Sequence, residues 1–410
     1  MKNEYLFLTS ALPPSNSANG ICIKKIIENF SDLQKIHVIT IENGSPKNDL
    51  NVDELRVPQR NWDRISKYCV RENKLSFLSI IIRILLLVKR FLMLPIWPVF
   101  SLTTCFHFFK KSCILIKEKN ITHVVAVCYP GETLITMILL KIRFRKHIKT
   151  IMYPLDVFLG GKYDGFGIEK KLSKMFSPLF FKFCSRFADK IVVLENAKDL
   201  YLKKIYTQRY KFAICGVPLI ENAPVKRSLK KDGEGIHLLY GGNIIPSIRN
   251  PDYLFYLLNE LADKKGVNII IDIYGAIGDV LLKKYISKYS FISFKYHGWV
   301  TENDLANAID KANALISVGN SVGHLIPSKI FKYMSLKKPI IHLSFLKNDP
   351  CLPYLNKYGY TFFIENNIDV DMNDFNLWLK SLESCEISLD CEKLFPQCTP
   401  AYTANVIQLC

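Results

Sequence analysis

The chain's most constraining feature is a rhythm: short apolar runs suited to strands alternate with stretches whose apolar residues recur at helical spacing. Strands are predicted at 5–9, 35–41, 121–128, 149–153 and 190–194, with helices over 21–30, 131–142, 168–187 and 197–205. After a break the rhythm resumes. Strands are predicted at 236–240, 267–274, 291–296, 314–318, 339–343 and 360–364, and helices at 252–264, 279–289, 302–311, 328–336 and 375–382. Strands that alternate with helices build parallel sheets covered on both faces. The expected fold is therefore α/β, with two Rossmann-like doubly wound domains facing a central cleft and ligands at the carboxyl ends of the strands.

The break supplies the domain boundaries. Residues 217–235 carry Pro218, Pro224, the basic pairs Lys226-Arg227 and Lys230-Lys231, then Gly233 and Gly235. Such a stretch suits a linker. Domains are expected at 1–220 and 236–395, joined by a linker at 221–235. A tail at 396–410 is free to pack back on the first domain.

Composition narrows the class. With 410 residues, 49% of them hydrophobic, the chain has ample material for two cores, and low-complexity or disordered classes are excluded. The 12 cysteines include no Cys-x-x-Cys pair, which argues against zinc ribbons and thioredoxin-type sites and for reduced thiols in the cytoplasm. The opening MKNEYLFLTSALPPSN does not read as a signal peptide. A net charge of +18 points to an anionic partner: nucleic acid, a membrane surface or a phosphorylated small molecule.

Much of that charge sits in a predicted insertion at about 56–119, which holds 13 Lys/Arg against Asp63, Glu72 and Glu118. Between the charges lie apolar stretches, of which Phe91–Phe109 is uncharged for about the length of a membrane span. Three readings are open: a spanning helix, ordinary core helices, or a membrane-facing surface. Pro95, Pro98 and the need to keep one sheet on one side of a bilayer weigh against the first. Basic residues flanking Phe91, Trp97, Phe100, Phe106, Phe108 and Phe109 favour the last.

Three ordered segments carry a family resemblance. The first is LLYGGNIIPSIRNPDYLFYLLNEL, residues 238–261. The second is IDIYGAIGDV followed by FKYHGWVTENDLANAIDKANALISV. The third is GNSVGHLIPSKIFKYMSLKKPIIHLS, residues 319–344. Over about a quarter of the chain, Ile236 to Leu343, these resemble the GT-B glycosyltransferases, and within them the family 4-like enzymes of bacterial surface-polysaccharide assembly.

The resemblance implies a nucleotide-sugar donor, expected to be UDP-linked, on the second domain. Gly241, Gly242 and Asn243 would form the turn that lets backbone approach a phosphate. Arg249 and Lys329 would face the diphosphate, with Pro327 and Ser328 at the start of the following helix. Gly298, Trp299 and Val300 would surround the base. Many relatives carry two glutamates in the third segment, the second commonly holding the ribose. The matching positions here are His324 and Lys332, which puts the sugar and ribose contacts in doubt. His324 is a candidate for the donor sugar or phosphate.

On the acceptor side, Asn19 and Gly20 resemble the family's glycine loop. Asp156 and then Glu132 are the candidate catalytic carboxylates, although capping explains such residues as readily. Asp369-Val370-Asp371 spells a metal-binding Asp-x-Asp but reads as a turn into the next helix. No metal and no cofactor beyond the donor are expected, because basic residues and helix dipoles can neutralise the leaving diphosphate.

The expected function is sugar transfer to a hydroxyl of a glycan acceptor, lipid-linked, at the inner face of the cell membrane. Two other classes compete. A non-catalytic scaffold would account for the missing carboxylates. A nucleic-acid binder would account for the charge, but no recognition signature accompanies it, so no nucleic acid is expected.

Overall fold

The computed structural model of the chain describes residues 3–410 apart from 15–16, 45, 47, 49, 51, 59–80, 82–83, 86–87, 89–100, 156–166, 205, 223–234, 322, 324 and 383–384. It forms two compact units, Met1–Pro218 with Gln397–Cys410, and Leu219–Pro396.

The first unit is built on a seven-stranded sheet. In chain order its strands are β1 (Tyr5–Leu8), β2 (Ile36–Ile41), β3 (Asp53–Val57), β4 (His123–Cys128), β5 (Lys149–Pro154), β6 (Lys190–Leu194) and β7 (Phe212–Cys215). Their spatial order is β3-β2-β1-β4-β5-β6-β7, and every neighbouring pair is parallel. The inner strands are almost continuously apolar, as strands covered on both faces must be. The helices are α1 (Ala18–Glu28), α2 (Leu102–Lys119), α3 (Gly131–Phe144), α4 (Gly167–Phe187) and α5 (Lys198–Lys204).

Two strands escaped the sequence reading, β3 and β7, and both are edges. An edge strand needs only one buried flank. DELRV therefore keeps three charges, with Arg56 Nε 3.1 Å from Glu54 Oε1, and FAIC is only four residues long.

The predicted insertion is corrected at both ends. Arg56 belongs to β3 of the sheet. At the other end Ser101 caps α2, its hydroxyl accepting from the Thr104 N–H at 3.3 Å. Phe108, Leu115 and Ile116 of α2 then enter the core with Leu6, Ile39 and Val124. The uncharged stretch thus ends as a core helix. Among the described residues no helix is long and apolar enough to cross a membrane. Most of residues 58–101 lie outside the described residues.

The second unit holds a six-stranded parallel sheet. Its strands are β8 (Ile236–Gly241), β9 (Ile269–Tyr274), β10 (Ser293–Gly298), β11 (Ala314–Val318), β12 (Ile340–Ser344) and β13 (Thr361–Glu365), in the order β10-β9-β8-β11-β12-β13. Its helices are α6 (Asp252–Lys265), α7 (Asp279–Lys288), α8 (Glu302–Lys311), α9 (Lys329–Ser335), α10 (Leu352–Tyr358), α11 (Met372–Ser381) and α12 (Cys391–Leu394). Leu254, Phe255 and Leu258 of α6 pack on Leu238, Ile271 and Ile316 of the sheet. The Thr301 cap read from the sequence is present, its hydroxyl 3.2 Å from the Asp304 N–H.

Most of the predicted linker, residues 223–234, lies outside the described residues. Glu221 and Asn222 already bond within the second unit, to Ser335 Oγ at 3.0 Å and Glu392 Oε1 at 2.8 Å. After α12 the chain rejoins the first unit, where α13 (Pro400–Gln408) packs on α1 and β7.

Candidate functional site

In the second sheet the chain runs outward from β8 through β9 to β10, then starts again at β11 on the other side of β8. That reversal between β8 and β11 is a topological switch point, where loops leave the strand ends in opposite directions and open a crevice. Gly241 and Gly242 end β8, and Gly319 and Asn320 follow β11.

The turn at Gly242 tolerates no side chain. Its φ is +147°, and a Cβ there would collide with Lys329 Nζ. Lys329, the first residue of α9, reaches up to donate to the Gly241 carbonyl. Gly275 (φ +117°) abuts the Gly242 backbone from the β9 side, and the Gly275 N–H donates to Gly298 O at 2.7 Å. Three strand ends are thus stitched together by backbone. Asn243, exposed, accepts from the Ala276 N–H through Oδ1 at 3.1 Å.

Arg249 comes from the loop after β8, folded back by its own N–H on Ile245 O at 2.7 Å. Its Nε donates to Asn320 Oδ1 at 2.6 Å, and Asn320 Nδ2 donates to Leu325 O at 2.8 Å. Asn320 is buried, so the carboxamide fixes the guanidinium plane through Nε. Behind it the buried Asp349 carboxylate fills the space a side chain at position 319 would need. Asp349 is held by His342 Nε2 at 3.2 Å and the Cys351 N–H at 2.8 Å, while His342 Nδ1 lies 3.0 Å from Ser317 Oγ. Burial works against the Asp349 charge, but these bonds and His342 together hold its pKa below the usual carboxylate range. His342, Asp349 and Cys351 lie close enough to share a metal ion, and the imidazole and the carboxylate already bond each other.

The electrostatics are one-sided. Burial, reinforced by the neighbouring charges of Arg249 and Lys332, pulls the Lys329 pKa down to about 8. Among the described residues none of Arg249, Lys329 and Lys332 has an ion-pair partner. Tyr240 lies under Lys329, with Nζ 5.9 Å from its ring centre, and burial pushes its hydroxyl up to about 12. Three cations beside a glycine turn, with no carboxylate paired to them, leave a positive field that a multiply charged anion would satisfy.

The remaining sequence-predicted residues are placed as follows. Pro327 is buried, Ser328 half-buried and Lys332 exposed, all around α9. Gly298 ends β10 beside Gly275. Trp299 is 63% exposed and Val300 also exposed. The turn before them is stiffened by His297, which stacks on Tyr274 at 4.3 Å and bonds Asp272 at 2.7 Å. His324 and Asp156 lie outside the described residues. Asp371 caps α11, accepting from the Asn373 N–H at 2.8 Å, in keeping with the turn reading of that motif.

In the first unit Asn19 and Gly20 open α1, where the Gly20 N–H donates to Ser17 Oγ at 3.2 Å. Glu132, the second candidate carboxylate, has a structural partner. It is fully buried in the first turn of α3, and its Oε1 accepts from the Ser101 N–H at 2.7 Å. It joins the starts of α2 and α3.

No protein-family profile matches the chain, and no curated protein matches it in sequence. Its two Rossmann-like parallel-sheet domains have the GT-B fold. Similar solved structures include a glycosyltransferase from Rickettsia africae ESF-5 (TM-score 0.59, 12% identity, 100% of this chain and 94% of that one). The apo form of the lipopolysaccharide outer core galactosyltransferase WaaB matches with a TM-score of 0.57 and 13% identity over 99% of each chain. A putative UDP-N-acetylglucosamine 2-epimerase from Listeria monocytogenes matches at 0.51 and 11%, over 100% of this chain and 95% of that one. At these identities the likeness is one of fold, which hosts more than one chemistry.

Proposed function

We propose that the protein is a glycosyltransferase that moves a sugar from a nucleoside-diphosphate sugar, UDP-linked, to a hydroxyl of a glycan acceptor in surface-polysaccharide assembly. The observation that carries this is the unpaired cluster of Arg249, Lys329 and Lys332 at the switch point of the second sheet. When the glycosidic bond to the diphosphate breaks, negative charge grows on the leaving oxygen. Cations already fixed there favour the transition state without reorganising. Arg249 suits two phosphate oxygens at once, and Lys329 acts as a point charge from below the turn. Trp299 and Val300 offer an apolar edge for the base. Such a cluster makes a bound metal unnecessary, so turnover is expected to survive EDTA.

The acceptor is assigned to the first unit, around the Asn19–Gly20 helix start, with Asp156 as its candidate carboxylate. A lipid-linked acceptor would place the enzyme on the inner membrane face, a location to which the basic composition lends support. The test is consumption of radiolabelled nucleotide sugars by the purified protein, with and without membrane lipid extract. Transfer of label into lipid supports the reading. Interconversion of the sugar without transfer would replace it with epimerisation, and no turnover of any donor would leave a scaffold.

A further inference from the structure

Amphipathic helices on a globular unit normally turn polar side chains to water. Three neighbouring helices of the first unit turn large apolar side chains there as well. The helices α2, α3 and α4 follow strands that advance in one direction across the sheet, and α2 packs on α3 and α3 on α4. Right-handed crossovers taken in one direction put them on one face. Their outward sides carry Leu102, Phe106, Ile142, Met175, Leu179 and Phe183, each 46–72% exposed. The spacing of Met175, Leu179 and Phe183, four residues apart, makes one continuous stripe along α4.

The charged residues interleaved with this surface are of one sign. Lys110 and Lys117 share the outward side of α2, Arg143 that of α3, and Lys182 and Arg186 that of α4, all exposed. Among the described side chains the only exposed carboxylate on these helices is Glu118. The mixture discriminates between occupants. A second protein's apolar patch would leave the cations facing carbon, and a polar one would bury the apolar stripe against charge. An anionic bilayer takes both, the apolar side chains entering the acyl boundary and the cations meeting headgroup phosphates.

We infer that the outward face of α2, α3 and α4 is a docking surface for an anionic lipid bilayer. This deepens the membrane placement proposed above and rests on that reading. Of the basic apolar insertion read at about 56–119 it keeps the part that forms α2, and it adds the outward sides of α3 and α4. The proposal requires no ordering on binding, because the surface exists in the free protein.

The test is sedimentation of the full chain with vesicles of phosphatidylcholine alone and of phosphatidylcholine mixed with phosphatidylglycerol, at low and high salt. The protein is expected on the mixed vesicles only, released in part by salt. Leu179→Ser with Phe183→Ser, and separately Lys182→Glu with Arg186→Glu, should each weaken that binding at least about tenfold, given the free energy a basic residue gains near an anionic leaflet. All four side chains are exposed, so thermal unfolding and UDP binding should match the parent protein and report an intact fold.

Vesicle binding unchanged in both double variants would overturn the surface; loss on reversing Lys89 and Arg90 instead would place the contact in the rest of the basic insertion. A parent protein that ignores mixed vesicles yet binds UDP would overturn the surface and leave the donor site standing. A dimer in gel filtration that Leu179→Ser with Phe183→Ser dissolves would replace the bilayer with a second copy. Vesicle binding without UDP binding would uphold the surface and remove the transferase reading.

Discussion

Lys329 is where the site's charge is least settled. Its ammonium is half-buried on the Gly241 carbonyl beside Arg249 and Lys332, and its pKa of about 8 lies below the ordinary 10.5. The sign of the consequence follows from that direction. The unfolded chain keeps this proton to higher pH than the folded one, so the free protein gains stability as pH rises from about 8 toward 10.5. A bound diphosphate favours the charged form, so binding takes up a proton once the pH exceeds that of Lys329. Affinity for UDP should then fall by up to about tenfold per pH unit above that point. Calorimetry in buffers of different ionisation enthalpy should register the uptake, and Lys329→Met should abolish both it and the slope. Arg249→Ala should cost about 1.5–3 kcal/mol of UDP binding, as for hydrogen bonds to charged groups. Asn320→Ala should cost less and add little to Arg249→Ala, because Asn320 acts by orienting that guanidinium. Additive losses in the double-mutant cycle would mean that Asn320 touches the ligand itself. Arg249 and Lys329 were singled out in the sequence by the family resemblance of the segments that hold them, one after a glycine turn and one at a helix start. Asn320 was not, because its partner lies 71 residues away and only the β8–β11 crossover brings them together.

At the scale of elements, the inner strands and most of the helices were legible because full burial on both faces leaves uninterrupted apolar runs. The edges β3 and β7 were not, since half-buried strands keep charges or stay short. The boundary of α2 was hidden for another reason. Its cap sits inside an uncharged stretch, and the residue that secures it, Glu132, comes 31 positions later. That bond makes a discriminating prediction. Glu132→Ala removes the acceptor of the half-buried Ser101 N–H and should destabilise the first unit by about 1–3 kcal/mol. Glu132→Gln keeps an acceptor oxygen and should retain most of the stability and all of the turnover. Turnover abolished by Glu132→Gln in a fully stable protein would support the catalytic role read for this carboxylate from the sequence. Thermal unfolding and initial rates on the two variants decide it.

At the scale of the whole molecule, the chain is not divided where the sequence breaks its rhythm for the last time. The first unit is completed by residues that follow the entire second unit. The Gly216 N–H donates to Gln397 O at 2.6 Å, Lys149 Nζ to Cys410 O at 2.9 Å, and Gln397 Nε2 to Glu195 at 3.2 Å. Thr399 caps α13, whose Thr403, Ala404 and Ile407 are fully buried against α1 and β7. Cys398 is equally buried and lies against Gly216, where a side chain would meet its sulfur. A chain ending at Pro396 would therefore expose a core face of the first unit and leave the second unit whole. Burial of Ile407 alone contributes about 1.5–3 kcal/mol, and the Gly216 and Lys149 partners would be lost besides. Two thermal transitions are expected in the 410-residue chain. The truncated chain should lose or sharply lower the one that belongs to the first unit. The other should keep its midpoint and its upward shift with UDP, because ligand binding stabilises only the unit that holds the site. A truncated protein in which both transitions stay in place would show α13 to be dispensable. Loss of the UDP-dependent shift would instead place part of the donor site outside the second unit.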